Sequence, residues 1–267
     1  MYFIDSEEDY KGVFETGFVE YVQKLKQQGD IWHIGFSSHN PKTAIKVIET
    51  GVPEMLMFSI NPAFDMLPSD EYVFDYYEGD LGKDLFRGID PQRAALYTIC
   101  EQKQIGITVM KAMGSGKLLS AEHTPFEKPM TIGQCINYAL TRPGVCSVLP
   151  GCKSVIEMNQ ALEYLRLSDA EKDYAEIIAT KRNDFKGACV YCCHCQPCPV
   201  NIDVATVTKY LDIAKLDLNA IPPSVKSHYR SLTSRGGDCI ACGHCEKRCP
   251  FDVPVIKTLV EAERVLG

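Results

Sequence analysis

Two runs of closely spaced cysteines carry the clearest chemical signal in this sequence. Of 13 cysteines, nine lie between residues 189 and 249. Eight of them form two runs that each end in Cys-Pro, namely Cys189, Cys192, Cys195 and Cys198, and then Cys239, Cys242, Cys245 and Cys249. Such spacing is typical of four-iron, four-sulfur clusters, in which one loop supplies three thiolates and the fourth comes from elsewhere.

In two-cluster ferredoxins the Cys-Pro cysteine of each run binds the other cluster. The predicted sets are therefore Cys189, Cys192 and Cys195 with Cys249, and Cys239, Cys242 and Cys245 with Cys198. The gap before Cys198 is two residues, where three is the commoner spacing. Two alternatives remain open: zinc held by paired Cys-x-x-Cys units, and clusters with a purely structural role. Cys193 is expected to be a bystander.

The overall composition narrows the class of protein. The chain of 267 residues has a formal charge of −7 and a pI of about 5.4, which gives no electrostatic footprint for nucleic acid or an anionic membrane. The N-terminus lacks an apolar signal region, and no apolar run reaches the ~18 residues of a membrane span. We therefore expect a cytoplasmic protein without a disulfide framework. The other four cysteines are expected in the core, namely Cys100, Cys135, Cys146 and Cys152.

Helix and strand signals alternate through the first two thirds of the chain. Helices are predicted at 17–28, 41–49, 91–104, 131–141, 154–165 and 168–182, with two more at 204–216 and 253–266. Strands are predicted at 31–40, 55–60, 107–113 and 145–151, and a long loop at 63–90. Four strand–helix units predict an α/β domain with a parallel sheet. Beyond residue 184 the sequence changes to one rich in cysteines and prolines with short predicted helices. This change predicts two domains, 1–183 and 184–267.

Three stretches together resemble the aldo/keto reductase family, in particular its bacterial members with a C-terminal ferredoxin extension. They are IGFSSHN (34–40), GITVMKAMGSGKLL (106–119) and RPGVCSVLPGCKSV (142–155). The resemblance implies half of a (β/α)8 barrel followed by a small, mostly helical domain with two [4Fe–4S] clusters. The Tyr, Lys, Asp and His that reduce carbonyls in that family belong to the other half of the barrel and have no counterpart in this sequence.

The resemblance also implies NADP(H) as a cofactor. Ser37 and Ser38 match the positions that hold the nicotinamide amide. Three residues match the loop near the pyrophosphate, namely Gly114, Ser115 and Gly116. Lys153 and Ser154 match the pair that takes the 2′-phosphate. An ordinary turn for the glycines and hydrogen bonding within the loop for the serines remain open. His33 and His39 are expected to be surface or loop histidines rather than catalytic ones.

A half barrel is expected to expose two sheet edges and an apolar inner face. Three arrangements would account for these exposed surfaces: two copies could pair, a separate chain could supply the other half, or the half barrel could stay open. Self-association is the favoured expectation. The expected function is an iron–sulfur oxidoreductase of the aldo/keto reductase type with a redox partner protein and no nucleic-acid or membrane partner. The alternative is a non-catalytic electron carrier on a remnant barrel scaffold.

Overall fold

The computed structural model describes residues 1–67, 89–179, 186–215 and 217–267. The predicted boundary between residues 183 and 184, and most of the predicted loop 63–90, lie outside the described residues. The strands are β1 Gly35–Ser38, β2 Met55–Ser59, β3 Gly106–Met110 and β4 Val145–Val148. The helices before the cysteine runs are α1 Glu7–Phe14, α2 Phe18–Gln28, α3 Pro41–Glu49, α4 Pro62–Asp65, α5 Pro91–Gln102, α6 Ile132–Leu140, α7 Val155–Leu162, α8 Asp169–Lys172 and α9 Ala175–Ile178. The C-terminal helices are α10 Val204–Lys215, α11 Pro223–Ser231, α12 His244–Arg248 and α13 Val255–Leu266.

The four strands form one parallel sheet in the order β1-β2-β3-β4. Alternate residues point to one buried face of this sheet, where the apolar side chains pack beneath the helices. These residues are Phe36, Leu56, Phe58, Ile107 and Val109. The predicted α/β architecture with four parallel strands and a mostly helical C-terminal region is confirmed.

Cys146 lies on a bulge in β4 and is exposed. The register pairs Ile107 with Val145 and then Thr108 with Ser147, so Cys146 is left over between them. The extra residue of a bulge is not paired in the ladder, and the core position predicted for Cys146 is therefore wrong. Cys152 is half-buried, also contrary to prediction, whereas Cys100 and Cys135 are buried as expected.

The first residues of the chain cover the outer edge of β1. The Met1 amino group donates to the Gly35 carbonyl at 2.6 Å, Ser37 N–H donates to the Met1 carbonyl at 3.1 Å, and Ile4 N–H donates to the Ser37 carbonyl at 2.9 Å. Phe3 interrupts this short parallel pairing with a positive φ of 61°. The expectation of two open sheet edges is thus wrong at β1, since a paired edge offers no free ladder groups.

The opposite face of the sheet is mixed in character rather than uniformly apolar. Met55 and Met57 share it with Ser37 and Thr108, and these residues, together with Tyr2, line an open depression. Met55 is 46% exposed. The predicted apolar inner face is therefore present only in part.

Asp173 divides the single helix that was predicted over 168–182. Ser168 and Glu171 form the expected capping box at the start of α8. Asp173 then adopts an extended conformation, and its carboxylate accepts the N–H of Ala175 at 2.8 Å, at the start of α9. An aspartate that can cap a following helix competes with continuation of the preceding one, which explains the break.

A buried polar network joins three helices above the sheet. The carboxylate of Asp65 on α4 accepts the hydroxyls of Tyr97 at 2.5 Å and Tyr138 at 2.8 Å. Arg93 lies 3.4 Å from the same carboxylate and donates to the Ser59 carbonyl at 3.1 Å. Because all these groups are buried, the network fixes α4, α5 and α6 against the end of β2.

The C-terminal region is built on the packing of α10 against α13. Asp203 caps α10 by accepting the N–H of Thr206 at 3.0 Å. The buried faces repeat at helical spacing, with Val204, Val207 and Leu211 on α10 and Val255, Leu259, Ala262 and Leu266 on α13. Both helices agree with the prediction, whereas α1, α4, α11 and α12 were not predicted. No helix within the described ranges is long and apolar enough to cross a membrane.

Candidate functional site

The eight cysteines of the two runs line two narrow cavities between α10 and α13, in the crossed arrangement. One cavity is bordered by Cys189, Cys192, Cys195 and Cys249. The other is bordered by Cys198, Cys239, Cys242 and Cys245. Cys195 also borders the second cavity, and Cys193 borders the first. We call these the first and the second cysteine cavity.

Backbone and side-chain hydrogen bonds hold the two runs against each other. Gly187 N–H donates to the Phe251 carbonyl at 2.6 Å, just before the first run and just after the second. In the other direction, Arg248 donates to the Pro197 carbonyl at 3.2 Å. These two bonds bring the Cys-Pro end of each run to the other run.

The two loops share a local geometry at their first cysteine. Tyr191 N–H points at the sulfur of Cys189, and Ala241 N–H points at the sulfur of Cys239, each at 3.4 Å. Both donors are non-glycine residues with positive φ, 57° and 53° respectively. Left-handed residues within a turn direct backbone N–H groups into a concavity that favours anions, as at many iron–sulfur sites.

The N-terminus of α10 lies between the two cavities. Val204, its first residue, borders both of them, and Val255, the first residue of α13, borders the first. The N-terminal end of a helix carries partial positive charge. Two of the longer helices of this region therefore begin where a negatively charged group would be held.

Burial raises the thiol pKa of the three cysteines that the first run contributes to the first cavity. It raises the pKa of Cys189 to about 12, and the Tyr191 N–H and the positive charge of Arg142 only partly oppose this effect. Burial raises the pKa values of Cys192 and Cys195 in the same way. Metal binding would have to displace these protons, which makes affinity dependent on pH.

The cysteines of each cavity are arranged around an open space and do not converge on a single metal position. Among the described residues, no three His, Cys, Asp or Glu side chains are placed to share a single metal ion. In a four-iron cluster each thiolate binds a different iron, so the cysteines line the walls of a cavity. The donor set, the left-handed N–H groups and the two helix ends fit a group of that kind.

A larger cavity of about 660 Å³ lies at the carboxyl ends of β3 and β4. Three of the predicted nucleotide residues border it, namely Ser115, Gly116 and Lys153. Gly114 is buried beside them, and all three residues of 114–116 have positive φ. Ligands in parallel α/β proteins bind at this end of the strands, and the volume is typical of a small-molecule site.

The charges around this cavity are mixed. Lys111 and Lys153 border it together with the carboxylate-bearing Glu157, and burial lowers the pKa of Lys111. Glu157 accepts the Lys153 N–H at 2.6 Å, and Ser154 caps α7 by accepting the Glu157 N–H at 3.2 Å. The predicted phosphate pair thus stands at a helix N-terminus, a favourable place for an anion, but it shares that place with a carboxylate.

Ser37 and Ser38 lie apart from this cavity and take part in internal hydrogen bonds. Ser37 Oγ accepts the Phe3 N–H at 2.9 Å, and Ser38 Oγ donates to the Asp5 carboxylate at 2.9 Å. Asp5 also binds the ring of His39 at 2.9 Å. The structure therefore places both serines in hydrogen bonds with the first residues of the chain. His39 is a buried loop residue, and His33 is exposed.

Two residues near the first cysteine cavity were missed by sequence reasoning. His194 lies within the first run and pairs with Asp173, the residue that separates α8 from α9. Arg142 lies just after α6, is 2% exposed, and donates to the Val190 carbonyl. The position of His194 between two predicted ligands was an available signal, but nothing in the sequence around Arg142 indicates burial.

A comparison with protein-family models finds no matching family, and a comparison with curated proteins finds no match either.

Proposed function

We propose that this chain is an iron–sulfur oxidoreductase of the aldo/keto reductase type, with two [4Fe–4S] clusters and NADP(H) as its cofactors. One observation carries the proposal: eight cysteines are divided between two cavities in the crossed pattern of two-cluster ferredoxins. The three sequence stretches that resemble the barrel of that family support NADP(H) as the second cofactor. Electron transfer, rather than carbonyl reduction, is the activity proposed for this chain.

The cysteines are proposed to bind the clusters, and neighbouring residues are proposed to stabilise the thiolates and exclude water. Cys189, Cys192, Cys195 and Cys249 would hold the first cluster, and Cys198, Cys239, Cys242 and Cys245 the second. When bound, such clusters accept and release single electrons. The N–H groups of Tyr191 and Ala241 would stabilise the thiolates, and Val204 between the cavities would exclude water from both.

The exposed second loop favours exchange of electrons with another protein. Cys242 is exposed, and the neighbouring Ile240 is 61% exposed, whereas Cys192 in the first run is buried. An apolar side chain beside an exposed ligand offers a partner a short path to the second cluster. We therefore place the redox partner protein at this loop.

Metal analysis tests the cluster assignment. The chain, purified without oxygen, is expected to contain about eight iron atoms and as many acid-labile sulfides, since each cluster holds four of each. Two zinc ions per chain without sulfide would contradict the proposal and support the zinc alternative. The same sample gives the molecular mass in solution, where a mass of two chains is expected for the proposed self-association and a single-chain mass would contradict it.

Nucleotide binding is tested at Lys153. NADPH fluorescence is expected to show saturable binding that Lys153→Ala weakens at least tenfold, because the lysine supplies a point charge for phosphate. Lys128→Ala is the matched control, since Lys128 is an exposed lysine outside the cavity. Equal binding by both variants would remove Lys153 from the proposal.

A specific observation favours the second candidate function, a non-catalytic electron carrier. Ser37 and Ser38, the positions matched to the nicotinamide, take part in hydrogen bonds with Phe3 and Asp5. These bonds engage the two hydroxyls that the resemblance assigns to the nicotinamide amide. Reducible clusters without any NADPH binding would support the carrier and reject the nucleotide part of the first proposal.

A further inference from the structure

Arg142 is a buried cation whose hydrogen-bond partners are all neutral. Its guanidinium donates to the Tyr138 carbonyl at 3.3 Å, the Thr141 hydroxyl at 3.1 Å and the Tyr174 hydroxyl at 3.0 Å. A fourth bond goes to the Val190 carbonyl. Within the described ranges, no carboxylate lies at ion-pair distance from it, although buried charges are normally paired.

The buried acid Asp65 already has a cationic partner. Asp65 binds Arg93 and the hydroxyls of Tyr97 and Tyr138, and it acts on Arg142 by longer-range charge attraction without a hydrogen bond between them. Asp212, a half-buried acid on this side, accepts the Tyr191 hydroxyl at 2.8 Å. Neither acid therefore serves as the direct counter-charge of Arg142.

The guanidinium faces the first cysteine loop. Its carbon lies 5.1 Å from the ring centre of Tyr191, two residues after Cys189, and the Val190 carbonyl that it binds is the next one after that cysteine. The Tyr174 hydroxyl, which accepts a hydrogen bond from Arg142, donates to the same carbonyl at 2.9 Å. Arg142 thus joins the end of α6 to the loop that carries three of the four predicted ligands of the first cavity.

We propose that Arg142 supplies the positive counter-charge for the cluster in the first cysteine cavity and thereby raises the reduction potential of that cluster. This inference rests on the proposed function. A [4Fe–4S] cluster with its four thiolates is an anion, and reduction adds one electron, taken from an external donor, without making or breaking a bond. A fixed cation in a medium of low dielectric constant stabilises the more negative, reduced form more strongly. Arg142 is therefore a positioning residue that acts through the charge it holds beside the loop.

The second cysteine cavity provides an internal comparison. Arg248 also donates to a carbonyl of a cysteine loop, that of Pro197, but this arginine is exposed. Solvent and salt screen an exposed charge. The same chemical group should therefore have a large effect at residue 142 and a small one at residue 248.

Redox titration of the complete, cluster-containing chain tests the inference. Mediated titrations followed by electron paramagnetic resonance would compare wild type with Arg142→Met, Arg142→Lys and Arg248→Met. We expect Arg142→Met to lower one of the two midpoint potentials by at least a tenfold change in the oxidised-to-reduced ratio, about 59 mV for one electron. Arg142→Lys keeps the charge, so its two potentials should stay close to those of wild type. Arg248→Met should change the oxidised-to-reduced ratio of neither cluster by as much as threefold.

Two further measurements separate charge from loop geometry. Tyr174→Phe removes a hydrogen bond to the Val190 carbonyl but leaves the charge of Arg142, and it should keep both potentials within threefold of wild type. An equal fall in Tyr174→Phe and Arg142→Met would overturn the proposed role of the charge. If Arg142→Met does not assemble, Arg142→Gln replaces it, and equal potentials in Arg142→Gln and Arg142→Lys would overturn the inference as well.

The outcomes distinguish this inference from the function on which it rests. Wild-type protein without iron and sulfide would reject the proposed function and the role of Arg142 together. Two intact clusters in wild type and in Arg142→Met, with unchanged potentials, would reject the role of Arg142 alone.

Discussion

The backbone N–H of Gly187 donates to the carbonyl of Phe251 at 2.6 Å, although the two residues are 64 positions apart in the chain. Gly187 precedes the first cysteine run by two residues, and Phe251 follows the last cysteine of the second run by two. The bond therefore places Cys249 beside Cys189, and the presence of both cysteines at one cavity follows from this contact.

Replacement of Cys249 should remove the first cluster and spare the second. In Cys249→Ala the first cavity keeps three of its four cysteines, whereas the second cavity keeps all four. We expect the iron content to fall to about half, measured together with acid-labile sulfide and the visible absorption of the clusters. The matched control is Cys193→Ala, which removes a neighbouring thiol outside the predicted sets and should keep the full iron content. Equal iron loss in both variants would argue against the crossed sets.

Gly236 should tolerate no side chain, because α13 passes directly over it. A Cβ atom at this position would lie 2.2 Å from the Leu259 carbonyl oxygen and 2.9 Å from the Tyr229 hydroxyl. We expect Gly236→Ala to destabilise the chain by about 1–3 kcal/mol, the usual cost of overpacking, measured by urea unfolding. In Gly12→Ala nothing lies within 4 Å of the new methyl group, so this control should be neutral or slightly stabilising, as expected for alanine inside a helix. Equal stability of the two variants would contradict the close packing.

The helices whose ends are decided by neighbouring residues could be predicted from the sequence. The α3 helix begins at Pro41, as predicted, and Asn40 caps it by accepting the N–H groups of Lys42 and Thr43 at 2.9 and 3.1 Å. The helix predicted over 204–216 is likewise present as α10. In these cases neighbouring residues decide the structure, so pattern and propensity suffice.

What could not be predicted depends on contacts between distant segments. Pairing of Met1 with Gly35, the burial of Arg142 beside Val190, and the bulge at Cys146 each require knowledge of the neighbouring strand or loop. The grouping of Cys249 with the first run and of Cys198 with the second around two cavities was expected only from the chemistry of a two-cluster site, and the ligand sets stay a prediction. The nucleotide prediction shows the limit of such reasoning. Ser37 and Ser38 form hydrogen bonds with residues 3 and 5, a segment that was not predicted to lie beside the sheet.

Asp65 should be essential for the stability of the α/β part of the fold. Asp65→Ala would leave the guanidinium of Arg93 buried without its carboxylate, and loss of one partner of a buried ion pair costs about 3–5 kcal/mol. Tyr138→Phe is the control: it removes one hydrogen bond to the same carboxylate and should cost about 1 kcal/mol, because Arg93 and Tyr97 remain. Urea unfolding followed by far-UV circular dichroism measures both, and a cost for Asp65→Ala no larger than that for Tyr138→Phe would contradict this role.

Glu54 should make the stability of the fold fall in acid. Hydrogen bonding to Lys26 at 2.5 Å, supported by the Ile34 N–H at 3.2 Å, lowers the pKa of Glu54 from 4.5 to about 2. Between these two values the unfolded chain binds a proton that the folded chain does not. The contribution of Glu54 is therefore complete above pH 4.5 and is lost as the pH falls towards 2.

The variant Glu54→Gln should remove this part of the pH dependence. We expect its free energy of unfolding, measured in urea at pH 7, 4.5 and 3, to fall less steeply below pH 4.5 than that of wild type. Glu49→Gln, at an exposed carboxylate at the end of α3, should follow the wild-type profile. Loss of clusters in acid would affect all three proteins alike, so the difference between their profiles isolates Glu54. Parallel profiles for Glu54→Gln and wild type would show that the Lys26 contact does not form in solution.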